Sequence, residues 1–68
     1  MYFSETLKEL MTNNNISQNE LAKNIGYSQR AVSKWVNGES EPSESAIRKC
    51  ALYFGVSCDY LLGLSDKK

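Results

Sequence analysis

Residues 17–38 read SQNELAKNIGYSQRAVSKWVNG and contain two short helix patterns on either side of one glycine. The first pattern begins at Ser17, and Glu20 stands where the second partner of a capping box belongs. Gly26 ends this pattern, because a tight turn between nearly perpendicular helices requires a positive φ. The second pattern begins at Ser28. Two helices this short are unstable alone, so the flanking segments must bury their shared apolar face.

The flanking segments show the same alternation of helix starts and stops. Apolar side chains recur at helical spacing near the N-terminus and predict a first helix over about residues 3–13. Further along, Ser43 and Ser57 stand where helices begin, and Gly55 and Gly63 stand where they end. No segment alternates apolar and polar residues as a half-buried strand would. The sequence therefore predicts an all-α, compact five-helix bundle.

The size of the chain is that of one small domain. It has 68 residues, of which 41% are hydrophobic, and no apolar run approaches the roughly 18 residues that span a bilayer. We predict one domain over residues 1–64 and a flexible C-terminal tail over residues 65–68. The N-terminus lacks the pattern of a signal peptide. We therefore expect a cytoplasmic protein in which Cys50 and Cys58 are reduced.

The inventory of reactive side chains argues against catalysis. The chain has no histidine, which removes the usual general base and the commonest metal ligand. Its two cysteines are too few for a structural zinc site, and neither has a histidine to activate it as a nucleophile. We expect no enzymatic activity, no metal and no cofactor.

Charge is balanced overall and unevenly distributed. The chain has eight basic and eight acidic residues. Residues 17–38 carry three cations and one carboxylate, a net charge of +2, whereas residues 39–47 carry three glutamates and no cation. An anionic partner is therefore expected to approach residues 17–38.

These residues together resemble a known family, the lambda-repressor-like, Cro/C1-type (XRE-family) helix-turn-helix DNA-binding domains. The resemblance is carried by ISQ-x-ELA at residues 16–22, GYS at 26–28, VSKW-x-NG at 32–38, PS at 42–43 and FGVS-x-DYLLG at 54–63. It spans about residues 5–64. It implies a bundle that binds operator DNA, usually as a dimer, with residues 28–37 as the recognition helix.

Within this motif the outward face of the third helix becomes a candidate DNA-reading surface. The predicted base-contacting residues are Gln29, Arg30, Ser33 and Lys34, and the predicted phosphate-contacting residues are Gln18, Ser28 and Asn37. Glutamine can bond an adenine edge at two points, and arginine can do the same to guanine. Gln18 begins a helix, where unpaired amides favour a phosphate. The alternatives are an ordinary solvated face for the third helix and plain helix-end roles for Gln18 and Asn37. Trp35, at an inward position, is expected to pack in the core.

The sequence departs from the family at two places. Members often carry a basic residue and a glutamate that pair between helices 1 and 3, where this chain has Met11 and Val36. We predict an apolar contact between these two side chains. The stretch after Gly38 is often basic in the family, whereas here Glu39 and Glu41 would repel phosphates.

The remaining predictions concern assembly and function. Tyr60, Leu61 and Leu64 are predicted to form an exposed apolar patch that serves as a dimer interface, the alternative being that they close the core. The resemblance implies a sequence-specific, double-stranded DNA-binding transcriptional regulator of prokaryotic or phage type. We expect a repressor that binds a near-palindromic operator as a homodimer strengthened on DNA, associated with the nucleoid. Two alternatives remain open: a DNA-binding antitoxin and a protein-interaction module that binds no DNA.

Overall fold

The computed structural model describes residues 2–68 and contains five helices with no strand among them. The helices are α1 (Tyr2–Asn13), α2 (Gln18–Ile25), α3 (Gln29–Val36), α4 (Glu44–Phe54) and α5 (Cys58–Leu62). The predicted all-α, five-helix architecture is confirmed. Over these residues no helix combines the length and the apolar character that a membrane crossing demands.

A serine begins each of the last four helices. The four N-cap residues are Ser17, Ser28, Ser43 and Ser57. Each has an extended backbone, and its hydroxyl oxygen accepts a hydrogen bond from the amide three residues on, at 3.0–3.2 Å. These bonds satisfy amides that a helix leaves unpaired at its start. The predicted helix starts are therefore confirmed. They could be predicted from the sequence because each cap involves only four consecutive residues.

The helix ends follow the predicted stops with one difference. Gly26 takes a φ of 79° after α2, and its amide bonds to the Ala22 carbonyl. For the third helix the sequence predicts a stop at Gly38, whereas α3 ends at Val36 with Asn37 as a right-handed C-cap, and the positive φ follows at Gly38. Asn15, after α1, adopts a φ of 56°, which asparagine tolerates better than most residues.

Glycine is required at position 63, after α5, because no side chain fits there. A Cβ atom at this position would lie 2.5 Å from the ring of Tyr2 in α1, so this ring packs directly on the backbone. This close approach joins the two ends of the domain.

The core lies where all five helices meet. Its fully buried large side chains are Leu7, Leu21, Val32, Cys50 and Leu61. Trp35 packs edge-on against Phe3 at 6.4 Å and against Tyr27 at 5.2 Å between ring centroids. The predicted core position of Trp35 is confirmed. Both cysteines are free, and burial raises the pKa of the Cys50 thiol to about 11, so it is a neutral core side chain at physiological pH.

Helix packing leaves one face of α3 outside the core. Helix α3 packs on α2 and α1, while α4 packs on α2 and α5.

The last residues of the chain lie against the start of α5. The Ser57 amide donates to a Lys68 oxygen at 2.8 Å, and the Ser57 hydroxyl donates to the Lys67 carbonyl at 3.2 Å. The flexibility predicted for residues 65–68 stays a prediction.

Candidate nucleic-acid interface

Four predicted base-contacting residues share the outward side of α3. Gln29, Arg30 and Lys34 are exposed, and Ser33 is half-buried. Their spacing puts them on one side of a helix, because side chains three and four residues apart are neighbours. The opposite side carries Val32, Trp35 and Val36, all of which are buried. The structure therefore brings these four residues together on one surface.

Gln29 is also bonded to a predicted phosphate-contacting residue. Its Nε2 donates to the Oε1 of Gln18 at 3.1 Å, which links the first residue of α3 to the first residue of α2. Gln29 keeps one N–H and its carbonyl oxygen, the pair of groups that an adenine edge requires. Gln18 keeps both N–H groups, which can donate to a phosphate oxygen. The sequence did not reveal this bond, since its partners are eleven residues apart on different helices.

The N-terminal end of α3 is polar, and its side chains make no salt bridge to a carboxylate of residues 2–68. Ser28 is exposed, and its hydroxyl oxygen holds the Ala31 amide at 3.1 Å. Across residues 2–68 the one salt bridge joins Arg48 to Glu44 on α4. Arg30 and Lys34 therefore carry charges that no carboxylate of the described chain neutralises by direct pairing.

The C-terminal end of α3 has a different composition. The Asn37 Nδ2 lies 3.5 Å from the Ser33 Oγ and 3.5 Å from the Glu39 Oε2, so its amide faces a carboxylate. Both distances are at the long limit for a hydrogen bond. Any phosphate that approaches Asn37 also approaches the charge of Glu39. The predicted phosphate contact at Asn37 is thus placed beside a repelling group.

The turn between α2 and α3 is held against α4. The Tyr27 hydroxyl lies 3.3 Å from the Ser43 Oγ, and the Lys49 Nζ lies 5.4 Å from the centre of the Tyr27 ring. Hydrogen bonds from Ser43 and then Ser45 lower the pKa of the Tyr27 hydroxyl. With its ring also against Trp35, Tyr27 fixes the turn that sets the crossing of the two helices.

Met11 and Val36 occupy the place where the family often has an ion pair. Each is only 8% exposed, and both line a groove between α1, the start of α2 and the end of α3. Gln18 lines the same groove. The arrangement agrees with the apolar contact predicted for these two side chains. It packs the buried side of α3, the helix that carries Gln29, against the rest of the domain.

The predicted dimer patch needs one correction. Leu61 has no exposed surface and lies in the core, so its predicted place in an interface is wrong. Tyr60 is half-buried, Leu64 is 73% exposed, and Leu62, which the prediction omitted, is 39% exposed. Two adjacent leucines on a helix point about 100° apart, so only one of them can be central to the core. In α5 that one is Leu61.

The described residues offer no alternative site for a metal. They contain no group of three or more histidine, cysteine, aspartate or glutamate side chains that could hold an ion. The functional candidate is the polar surface formed by Gln18, Ser28 and the outward side of α3, because its side chains are largely exposed and Gln18 is bonded to Gln29.

Comparison with known proteins agrees with this geometry. A helix-turn-helix family model matches residues 7–61. The chain is 36% identical over 62 residues to the HTH-type transcriptional activator BcrR of Enterococcus faecalis. That match covers 91% of this chain and 30% of BcrR, so the chain spans about a third of that relative.

Two solved structures share the architecture closely. A transcriptional regulator from Listeria innocua superposes with a TM-score of 0.86 at 26% identity, covering 97% of this chain and 62% of that one. The DNA-binding domain of the P22 C2 repressor superposes with a TM-score of 0.85 at 28% identity, covering 100% of this chain and 92% of that one. Both matches include all five helices of the chain described above.

Proposed function

The chain belongs to the lambda-repressor-like, XRE-type helix-turn-helix family of DNA-binding transcriptional regulators, and we propose that it recognises a specific operator through α3 and represses transcription there. The observation that carries the proposal is the hydrogen bond between Gln18 and Gln29 at 3.1 Å. It joins a candidate base-reading side chain to a candidate phosphate-contacting side chain as one unit.

Recognition divides between the two members of this unit. Gln29 lies in the first turn of α3, the part of a recognition helix that contacts base edges in the major groove. Gln18 lies at the start of α2, where unpaired amides and the helix dipole favour a phosphate. A phosphate bonded to Gln18 would therefore set the position from which Gln29 meets its base. Arg30 adds a planar donor pair suited to guanine, and Lys34 adds a point charge one turn further on.

We infer that two copies bind together on a near-palindromic site. A single eight-residue recognition helix contacts only a few base pairs, and a two-fold dimer doubles this contact with half-sites about 10 bp apart or a multiple of that. The interface we assign comprises Leu62 and Leu64 with Tyr60 at its edge. Leucines exposed to this degree stabilise a dimer when they are buried.

Repression follows from occupancy of a promoter. The proposal draws support from the likeness to the P22 C2 repressor domain, which the chain covers almost completely. The name of BcrR, of which this chain spans 30%, is that of an activator, so the sign of regulation is part of the proposal that the reporter below tests. Because its target is the chromosome or a phage genome, we place the protein in the cytoplasm with the nucleoid.

The test is selection of bound duplexes from a random pool, followed by sedimentation with the selected site. We expect a two-fold symmetric consensus, a monomer in solution at micromolar concentration and a 2:1 complex on DNA. Affinity is expected to fall with salt, with a log–log slope of about −0.9 per phosphate contact. A tight 1:1 complex on an asymmetric consensus would refute the dimer, and no enrichment at low salt would refute DNA recognition. A reporter with the selected site between promoter and gene then gives the sign of regulation.

A further inference from the structure

The most exposed large hydrophobic side chain of the described chain is Leu52, on α4. It is 83% exposed, although it stands between the buried Ala51 and the half-buried Tyr53. The buried side of α4 is formed by Ala46, Cys50 and Ala51. Leu52 therefore projects from the side of α4 that faces away from the core, where an isolated leucine does nothing for the stability of the domain.

Leu52 lies between two shallow grooves and lines both of them. The first groove runs between the end of α2 and α4, where Ile25 and Tyr53 supply apolar surface. The second runs from α4 to the start of α5, where Ala51 and Val56 do the same. The leucine and its two grooves form a continuous surface, which we call the Leu52 surface.

The rim of the Leu52 surface is basic. Lys23 and Lys49 line the first groove, Arg48 lines the second, and no aspartate or glutamate lines either of them. Arg48 is paired with Glu44, whereas the two lysines make no salt bridge within residues 2–68. Three of the eight basic residues of an electrically balanced chain thus surround one exposed leucine.

We propose that the Leu52 surface docks an acidic, amphipathic helix of another protein, with an apolar side chain of that helix against Leu52 and its carboxylates beside Lys23 and Lys49. An apolar stripe flanked by charges that oppose the rim is the form in which helices bind such grooves. The acidic stretch of a second copy, residues 39–44, contains no large apolar side chain and so lacks the apolar half of such a helix.

DNA is the weaker candidate for this surface. Phosphates would satisfy the lysines and leave Leu52 uncovered, whereas an amphipathic helix covers both. The first groove lies at the end of α2 opposite to Gln18, since Lys23 to Gly26 line it and Gln18 begins the helix. The surface is therefore distinct from the candidate DNA interface, and the inference does not depend on the proposed function.

The experiment titrates the isotope-labelled chain with two synthetic helical peptides of about 18 residues, long enough to sustain a helix. Both carry leucines at helical spacing, flanked by glutamates in one and by lysines in the other. We expect the glutamate peptide to shift the amide signals of α4 and the end of α2. We expect the lysine peptide to bind at least about tenfold more weakly, because like charges meet at the rim.

Three variants locate the contact. Leu52→Ser is expected to lower affinity for the glutamate peptide about tenfold, the effect of losing one buried leucine contact. Lys8→Gln removes an exposed cation of α1 that lines neither groove and is expected to leave affinity unchanged, which makes it the control for a lysine of the rim. Lys23→Gln is expected to lower affinity severalfold at low salt and less at high salt.

Several results would overturn the proposal. These are equal affinity for the two peptides, absence of binding at millimolar peptide, unchanged affinity in Leu52→Ser, equal effects of Lys23→Gln and Lys8→Gln, and displacement of the peptide by duplex DNA. The last result would assign the surface to DNA instead. Leu52, Lys8 and Lys23 are all exposed, so their variants are expected to keep the melting temperature of the parent, which thermal unfolding checks before titration.

Discussion

The two ends of α3 differ in what surrounds their polar side chains. At the N-terminal end, Gln29 is bonded to Gln18 and the helix begins at an exposed serine. At the C-terminal end, the Asn37 amide lies 3.5 Å from the Glu39 carboxylate, and Glu41 follows two residues later. The N-terminal end of α3 presents polar groups that can bind an anion, whereas the C-terminal end already has the Glu39 carboxylate beside it. DNA recognition is therefore expected to concentrate at the N-terminal end, while the C-terminal end anchors the helix.

The anchoring of the C-terminal end is apolar. Val36 is the last residue of α3, and it is as deeply buried as Met11 of α1, whose groove it shares. An ion pair removed from water often gains little over well-packed apolar side chains, so the substitution of one by the other need not weaken the fold. The two ends thus have separable roles, and the following predictions test that separation.

The largest effect is expected from Val36→Glu. The change buries a charge without a partner and should lower the free energy of unfolding by roughly 3 kcal/mol. For a domain of this size that is a fall of more than 10 °C in melting temperature, on the order of 4–8 °C per kcal/mol. Thermal and urea unfolding measure it.

The matched double variant decides whether the cause is local. Adding Met11→Arg should recover part of the lost stability, because the new guanidinium can pair with the new carboxylate. If Val36→Glu melts alike with and without Met11→Arg, the two side chains do not interact.

The next effect is expected at the N-terminal end. Gln29→Ala should remove preference for one base pair of each half-site, a discrimination of about 1–3 kcal/mol, while stability stays near that of the parent. Competitive binding against operators with single base changes measures this. A uniform loss of affinity on every operator would mean that Gln29 does not read a base, and the reading surface would be reassigned to Arg30, Ser33 and Lys34.

The hydrogen bond at this end predicts coupling between two substitutions. Gln18→Ala should weaken binding to all sequences, and it should also reduce the preference set by Gln29, because it frees the Gln29 side chain. The loss of binding free energy in the double variant should be smaller than the sum of the losses measured for the two single variants. Strict additivity would show that the bond has no role on DNA.

A smaller effect of opposite sign is expected from Glu39→Gln. Removing one charge near a phosphate should raise affinity about threefold on every duplex, the size of a single charge interaction at about 7 Å in water. The gain should shrink as salt rises. Glu41→Gln is the control, because it makes the same charge change without a contact to Asn37. Equal gains from both would reduce the role of Glu39 to overall charge.

The smallest effect is expected from Asn37→Ala. Because Glu39 faces the Asn37 amide, we expect a loss of no more than about twofold, well below that of Gln18→Ala. In the Glu39→Gln background the loss should grow, since the amide then meets phosphate without the repelling charge. A loss as large as that of Gln18→Ala would show that both ends of α3 contribute equally, and the contrast between them would fail.

Helix starts, most helix ends and the inward side of α3 follow from the sequence, because each depends on neighbouring residues. Ser17, Ser28, Ser43 and Ser57 cap their helices through bonds that span three residues. The spacing of Val32, Trp35 and Val36 places them on one side whatever the rest of the chain does. The same local patterns predicted the face that carries Gln29, Arg30, Ser33 and Lys34.

Contacts between helices could not be predicted in this way. The bond of Gln18 to Gln29 and the approach of Glu39 to Asn37 depend on a helix crossing and a loop path that the whole core sets. Leu61 was misplaced because α5 has only five residues, too few for periodicity to show which leucine faces inward. The surface around Leu52 was likewise not predicted, because only the packing of α2 and α5 on α4 shows the grooves beside this side chain. Local hydrogen bonds depend on consecutive residues, whereas the distance between two helix surfaces depends on how the whole core packs.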